Sequence, residues 1–439
     1  MDKIKIKPVK RINGIITVPP DKSISHRAIM FGSLAYGVTK VKNFLAAEDC
    51  LNTIKAFQAM GIRIKVKSKK VKGKNKNLSC EIHNLEIYGK GLRGLKKPDK
   101  DIYCGNSGTA MRLLSGILSG QDFKAILTGD ESLTKRPMAR IAAPLRLMGA
   151  EIQGDFPPLI IHGGNLNPID YVSPVASAQV KSCILLAGLY ANGTTSVVEP
   201  LKSRDHTERM LRLFNVKIKE SGLKVSIKGN QQLKAIDIEV PADISSAAFF
   251  IIAALIVKGS KLKIKSVGLN PTRTGILDVL KQMGAKIKIV KKSGNINEPM
   301  ADMIIESSSL KAVTIESKMM PRLIDELPII MIAATQAEGI TRIMGAKELR
   351  VKETDRIKSM ASGLIQMGAD ITVHEDNIFI KGPTMLKGAT LNSFGDHRTA
   401  MSFAVAGLIA EGSTVVEDTS CVLTSFPNFN DILSDISQY

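Results

Sequence analysis

No tryptophan occurs in this chain of 439 residues, and aromatic residues of all kinds make up only 4% of it. A surface that reads single-stranded nucleic acid by stacking bases needs aromatic platforms, so the scarcity argues against a nucleic-acid partner. Cysteine is sparse too: positions 50, 80, 104, 183 and 421 give an odd number, widely spread, with no CxxC pair. That pattern excludes a disulfide framework and a cysteine-based zinc site, and it leads us to expect a reducing, cytoplasmic setting. Six scattered histidines without HExxH offer no metal-ligand spacing, so no metal is expected. No apolar run reaches the roughly 18–20 uncharged residues of a membrane span, and no membrane partner is expected. The opening "MDKIKIKPVKRINGIITVPP" alternates Lys and Ile, which reads as a strand and not as the apolar core of a signal peptide.

What the chain does have is length, a buried-type composition and positive charge. Its length favours two domains over one core. Hydrophobic content of 44% and charged content of 23% are those of a folded soluble protein. Against 61 basic residues stand 41 acidic ones, a formal net charge of +20. Such a balance attracts anions. Seven of the lysines crowd into "KVKSKKVKGKNKN" (65–77), read here as a solvated strand pair and turn.

The chain also repeats itself. "DKSISHRAIMFGSLAYG" (21–37), "NSGTAMRLLSGILSG" (106–120), "SAQVKSCILLAGLYANG" (177–193), "DISSAAFFIIAALIVKG" (243–259), "DELPIIMIAATQAEG" (325–339) and "DHRTAMSFAVAGLIAEG" (396–412) share one plan. Each opens on Asp, Asn or Ser, runs through a small, apolar body and reaches Gly 14 or 16 residues later. The first residue is an N-cap type and the last a C′ type, which predicts capped helices. Polar only at the start and apolar nearly all round, they should be buried. A second device, "FQAMGIRI", "LRLMGAEI", "LRLFNVKI", "LKQMGAKI" and "LIQMGADI", reads as a helix stopped by Gly or Asn and leading into a strand; the sixth unit, near "FNDILSDI", lacks it. The fold class predicted is therefore α/β, with two similar domains of three repeated αβ units each around buried helices. The boundaries fall at the prolines before two of the buried helices: 21–241 forms the first domain, and 1–20 with 242–439 the second.

A buried helix leaves its first N–H groups unsatisfied and its positive end unneutralised. Several such ends facing a cleft make an anion site. Here the polar starts also supply cations: Lys22, Arg27, Arg112, Lys181 and Arg398. "CGNSGTA" (104–110) would let backbone approach an anion closely. "DESLTKRPM" adds Lys135 and Arg136, and "ELRVKETDRI" places Lys352, Glu353, Asp355 and Arg356 within five residues. Beside Asp325 of "LIDELP", that mixture could supply a general base and a general acid.

"DKSISHRA", "GNSGTAMR", "LTKRPM", "SAQ", "LIDELP", "RVKETDRI" and "GDHRTAMS", in this order and spacing over about residues 20–430, closely resemble the 5-enolpyruvylshikimate-3-phosphate synthases. The resemblance implies the enolpyruvyl transferase fold, an inside-out α/β barrel of two domains closing over the substrates. It implies transfer of the enolpyruvyl group of phosphoenolpyruvate to the 5-hydroxyl of shikimate 3-phosphate, without metal or organic cofactor. Carried over motif by motif, Lys22, Ser23, Arg27, Ser177, Ala178, Gln179, Ser203, Asp325 and Lys352 bind shikimate 3-phosphate. Lys22, Asn106, Gly108, Arg136, Gln179, Arg356 and Arg398 bind phosphoenolpyruvate. Asp325 is the implied base and Glu353 the donor to the methylene carbon, with Lys22 assisting phosphate departure. The partners implied are these two small molecules alone, with a monomeric enzyme.

There are departures from the pattern. "CVLTSFP" has Thr424 where many relatives carry a Lys, and His206 in "SRDHTE" replaces a Tyr found in one subclass. "SRDHTE", "SAQVK" and "NPTR" look like the subclass that tolerates the inhibitor glyphosate, whereas "ADISS" and Gly108 do not, so sensitivity stays open. The rival reading is UDP-N-acetylglucosamine enolpyruvyl transferase, which carries a reactive Cys in the loop that here reads "DESLTKRPM".

Overall fold

In the computed structural model, residues 2–72, 79–291 and 298–439 are described. All six polar-start segments are helices: α1 (Lys22–Leu34), α2 (Gly108–Ser119), α3 (Ala178–Gly188), α4 (Ile244–Ile256), α5 (Leu327–Thr335) and α6 (His397–Gly407). Five are capped by a side chain at the N-terminus: Asp21, Ser107, Ser177, Asp243 and Asp396 each accept from a backbone N–H two or three residues on. The fifth helix differs. Its N-cap is Glu326, which makes no capping bond, and this leaves the preceding Asp325 outside the helix. The predicted C′ glycines are mostly misplaced. Gly120 does close α2, but α1 and α5 stop early and hand over to strands that contain Gly37 and Gly339. Once the apolar body is buried, a strand satisfies the chain's hydrogen bonds sooner than a left-handed turn.

A strand follows each buried helix: β1 (Ala35–Phe44), β2 (Lys124–Thr128), β3 (Thr194–Val198), β4 (Lys261–Gly268), β5 (Ala337–Ile343) and β6 (Thr414–Glu417). Each has a parallel neighbour on one side and an antiparallel one on the other. In the first five units the antiparallel partner belongs to the strand pair that follows the Gly- or Asn-stopped helix. The stops behave as predicted: Gly61, Gly149, Asn215, Gly284 and Gly368 all have positive φ. The sixth unit has no such strand pair, and Lys3–Ile6 from the N-terminus takes its place against β6. Arg11–Ile16 likewise supplies the parallel neighbour of β4.

The chain divides into two units, Pro20–Val240 and the split unit Met1–Pro19 with Pro241–Tyr439. In each, three open sheets of three to five strands accompany three buried helices. In the inserted unit α2 meets α3 so closely that a Cβ on Gly116 would stand 2.3 Å from the Cys183 carbonyl oxygen, which demands glycine there. The split unit's core gathers Phe249, Phe250, Phe426 and Phe429 with ring centroids 5.5–6.1 Å apart. Of the lysine-rich stretch 65–77, residues 65–72 lie on the strand Arg63–Lys72, which pairs with Ser79–Lys90, and residues 73–77 fall outside the described residues. No described helix is long and apolar enough to cross a membrane.

Candidate active site

The candidate residues fall into two groups, one in each unit. In the inserted unit most occupy the starts of α1, α2 and α3, which hydrogen bonds tie together, while Arg136 and Ser203 come from connecting segments. Lys22, the first residue of α1, donates to Asp49 Oδ2 at 3.0 Å. Arg27, one turn on and buried, donates to Ser23 O at 3.0 Å, Ser182 Oγ at 3.0 Å and Thr207 Oγ1 at 2.8 Å. At α2, Arg136 donates to Asn106 Oδ1 at 2.6 Å and Asn106 donates on to Asp130 Oδ2 at 2.8 Å. The loop leading into Asn106 turns at Gly105, where φ is +59° and a Cβ would stand 2.5 Å from Asn52 Nδ2. Two guanidiniums face Gly108: a Cβ there would lie 3.4 Å from Arg112 Nη1 and 3.7 Å from Arg136 Nη1. At α3, Ser177 is the N-cap, Ala178 follows it, and Gln179 accepts from Arg112 while donating to Thr109 Oγ1 at 2.9 Å. Ser203 is buried, its N–H donating to Glu199 Oε2 at 3.4 Å and its hydroxyl without a partner among the described residues.

His26 joins two of these starts. Its Nδ1 pairs with Thr53 Oγ1 at 2.8 Å and its Nε2 with Ser107 Oγ at 3.3 Å, so the imidazole fixes the α2 cap against α1. Burial, then the charges of Lys22 and Arg27, push its pKa down to about 3. Below pH 6.5 the unfolded chain therefore binds a proton that the folded one refuses. The stabilisation is fully present above pH 6.5 and is lost at up to about 1.4 kcal/mol per pH unit as pH falls towards 3. Urea titrations at successive pH values should show this acid slope in the native chain and a shallower one in His26→Asn.

One expected cation is withdrawn. Lys181 is 1% exposed and bonded to Glu199 at 2.8 Å and Glu208 at 2.7 Å. Two carboxylates already claim its charge, so it serves the core and not an anion. Its position two residues after Gln179 put it on the other side of the helix, which the repeat alignment did not reveal.

In the split unit the acidic and basic candidates converge on Arg356. This side chain is 1% exposed and donates to Asp396 Oδ2 at 2.7 Å, Glu353 Oε2 at 2.5 Å and Asp325 Oδ1 at 3.4 Å. Burial alone would lower its pKa; Asp396, Glu353 and Asp325 outweigh it and hold the guanidinium above its ordinary value. Arg398 donates to the Asp325 main-chain oxygen at 3.0 Å and lies 3.9 Å from its carboxylate. Lys352 is half-buried beside Glu353, after the 3-10 turn Lys347–Val351. Thr424 ends another 3-10 turn and donates to Cys421 O at 2.7 Å, a local bond that a lysine could not reproduce. Asp49, Asp396, Ser182 and Thr207 escaped the sequence reading. Only Asp396 carried a signal, as the N-cap of the sixth repeat.

The chemistry of these groups bears on the rival reading. The loop that would carry a reactive thiol has none, and burial, with the charge of Asp49 adding to it, pushes the Cys104 thiol up to about 12. At neutral pH it is an inert, packed group.

Comparison with known proteins agrees with this chemistry. The sequence profile of EPSP synthase (3-phosphoshikimate 1-carboxyvinyltransferase) matches residues 6–433. The 3-phosphoshikimate 1-carboxyvinyltransferase of Bacillus cereus strain B4264 is 50% identical over 438 residues, 99% of each chain. That of Brevibacillus brevis is 49% identical over 439 residues, 99% of this chain and all of its own. A solved EPSP synthase from Acinetobacter baumannii superimposes with a TM-score of 0.86 at 47% identity, covering 100% of this chain and 98% of its own. With near-complete coverage by sequence and by fold, and with the motif residues at the helix starts, this chain belongs to the EPSP synthase family.

Proposed function

We propose that Asp325, Glu353 and Lys22 carry the enolpyruvyl transfer of this family in the present chain. The reaction joins the 5-oxygen of shikimate 3-phosphate to C2 of phosphoenolpyruvate and then expels phosphate. Asp325 takes the 5-hydroxyl proton as the oxygen attacks, and Glu353 gives a proton to the methylene carbon. The tetrahedral adduct then returns a proton from the new methyl group and loses phosphate, with Lys22 offsetting the charge of the leaving group. Shikimate 3-phosphate is assigned to Lys22, Ser23, Arg27, Ser177, Ala178, Gln179, Ser203, Asp325 and Lys352. Phosphoenolpyruvate is assigned to Lys22, Asn106, Gly108, Arg136, Gln179, Arg356 and Arg398.

The observation that best supports this reading is the meeting of Asp325 and Glu353 on the single guanidinium of Arg356. An ion pair keeps a carboxylate ionised, which suits a base and not an acid. A substrate carboxylate arriving at Arg356 would compete with Glu353 for the guanidinium and free Glu353 to hold the proton it must donate. Asp325 keeps its second tie, the Arg398 bond to its main-chain oxygen, through that exchange. Cytoplasmic residence and monomeric operation complete the reading; the cysteines described are free thiols, three of them buried, which suits a reducing compartment.

Phosphate release tests the reaction directly. Mixed with phosphoenolpyruvate, the protein should liberate inorganic phosphate with shikimate 3-phosphate and not with UDP-N-acetylglucosamine. Release with the nucleotide sugar alone would overturn the acceptor, and release with neither would remove the enzymatic reading.

A further inference from the structure

Two sequence motifs found no place in the mechanism: "NPTR" (270–273) and "ADISS" (242–246). The structure brings them together beneath Asp325. The Asn270 side chain accepts from Thr272 N at 2.9 Å and from Thr272 Oγ1 at 2.7 Å, and Arg273 N donates back to Asn270 O at 2.8 Å. This tight turn aims Arg273 inward, where it is 3% exposed. Its Nη2 donates to Asp243 Oδ1 at 3.0 Å and to Ser245 Oγ at 2.6 Å. Ser245 Oγ in turn donates to Glu326 Oε1, and Glu326 is 1% exposed. Glu326 follows Asp325 directly, so the chain Arg273–Ser245–Glu326 ends one peptide from the carboxylate assigned as base.

We infer that Arg273 is a positioning residue for the reaction, holding the Asp325–Glu326 turn through Ser245 so that the Asp325 carboxylate keeps its aim. The inference rests on the reading of Asp325 as the base. The physical need is plain. Asp325 is not a helix cap and lies in the turn before α5, so the capping bond that fixes the corresponding Asp243 and Asp396 is missing. Arg398 holds the carbonyl of Asp325, Arg356 reaches its carboxylate, and the buried Glu326 side chain anchors the next residue of the same turn. A buried acid is fixed in direction only while its hydrogen bonds are made. Releasing Glu326 would let the turn pivot about the Arg398 bond, and a displacement of about 1 Å at a reacting group costs on the order of 10²-fold in rate. Arg273 acts through Ser245 and Glu326 on the aim of Asp325, so its effect should appear in turnover more than in affinity.

The test is a double-mutant cycle. Arg273→Leu and Ser245→Ala are each made in the native chain and in the Asp325→Asn chain, and kcat and both KM values are measured well below the melting temperature. In the native chain each should lower kcat, Arg273→Leu by roughly 10–100-fold, with both KM values nearly unchanged. In the Asp325→Asn chain, where there is no base left to aim, the same substitutions should have almost no further effect. Arg273→Lys, which keeps a donor at that place, should recover part of the loss. Should Arg273→Leu fail to fold, Ser245→Ala carries the test, since it breaks the chain without removing a charge. Turnover within twofold of native in the folded variants overturns the inference while leaving Asp325 as base. Equal losses with and without the Asp325 carboxylate would also overturn it, showing a general packing role. Native turnover in Asp325→Asn itself would remove the base assignment, and the inference with it.

Discussion

In Asp325→Asn, kcat is expected to fall by about 10²–10⁴-fold while both KM values stay within a few-fold. Asn keeps the shape of the side chain and an oxygen that can accept from Arg356 Nη1, so the Arg356 cluster has no reason to rearrange. What is lost is the capacity to take a proton as the 5-oxygen attacks. A group that acts only in the transition state lowers kcat and kcat/KM together, and steady-state kinetics with each substrate varied would show that signature. Turnover within tenfold of native would remove Asp325 as the base. A large rise in KM with native kcat would leave Asp325 a binding group alone.

Arg356→Met carries the second large effect, on stability as well as activity. One guanidinium is shared by Asp396, Glu353 and Asp325, and Asp396 is fully buried. Removing the cation strands the buried carboxylate, which typically costs about 3–5 kcal/mol. Glu353 and Asp325 are only half-buried and can turn to water, so most of the cost belongs to Asp396. Denaturant titration should show the loss in one of the chain's two units, and adding Asp396→Asn to Arg356→Met should recover a good part of it. A loss under about 1 kcal/mol would mean that Asp396 takes a proton or rearranges at little cost. Activity should fall in both variants, because neither retains the guanidinium assigned to phosphoenolpyruvate.

Local signals in the chain proved legible where one residue decides one turn of backbone. Asp21, Ser177, Asp243 and Asp396 cap helices because a short side-chain oxygen reaches an orphan N–H, whatever the rest of the fold does. Gly61 and its counterparts adopt positive φ for a similarly local reason. The glycines after the buried helices misled because two outcomes compete there, a left-handed turn and an early strand, and the choice depends on a sheet partner far away in sequence. The same limit explains Lys181. A lysine at a helix start reads as an anion ligand until Glu199 and Glu208 arrive from other elements to neutralise it. The motif residues Asp325, Glu353, Arg356 and Arg398 are spread over more than seventy positions; the charge mixture near Glu353 and the helix starts hinted at a grouping, and the resemblance to relatives gave each residue its role. The ties between Arg273, Ser245 and Glu326 had no local sign at all, because neither "NPTR" nor "ADISS" states its partner.

The strand Lys3–Ile6 has a bearing on how the protein is made. It is the third strand of its sheet, and its partner β6 ends at Glu417. On a ribosome adding about 5–20 residues per second, the first strand waits roughly 20–80 s for that partner to emerge. The inserted unit is continuous from Pro20 to Val240 and can fold during the wait. The alternating Lys and Ile of this strand then acquire a purpose: charges on one face keep an unpaired, sticky ribbon soluble until β6 has been made.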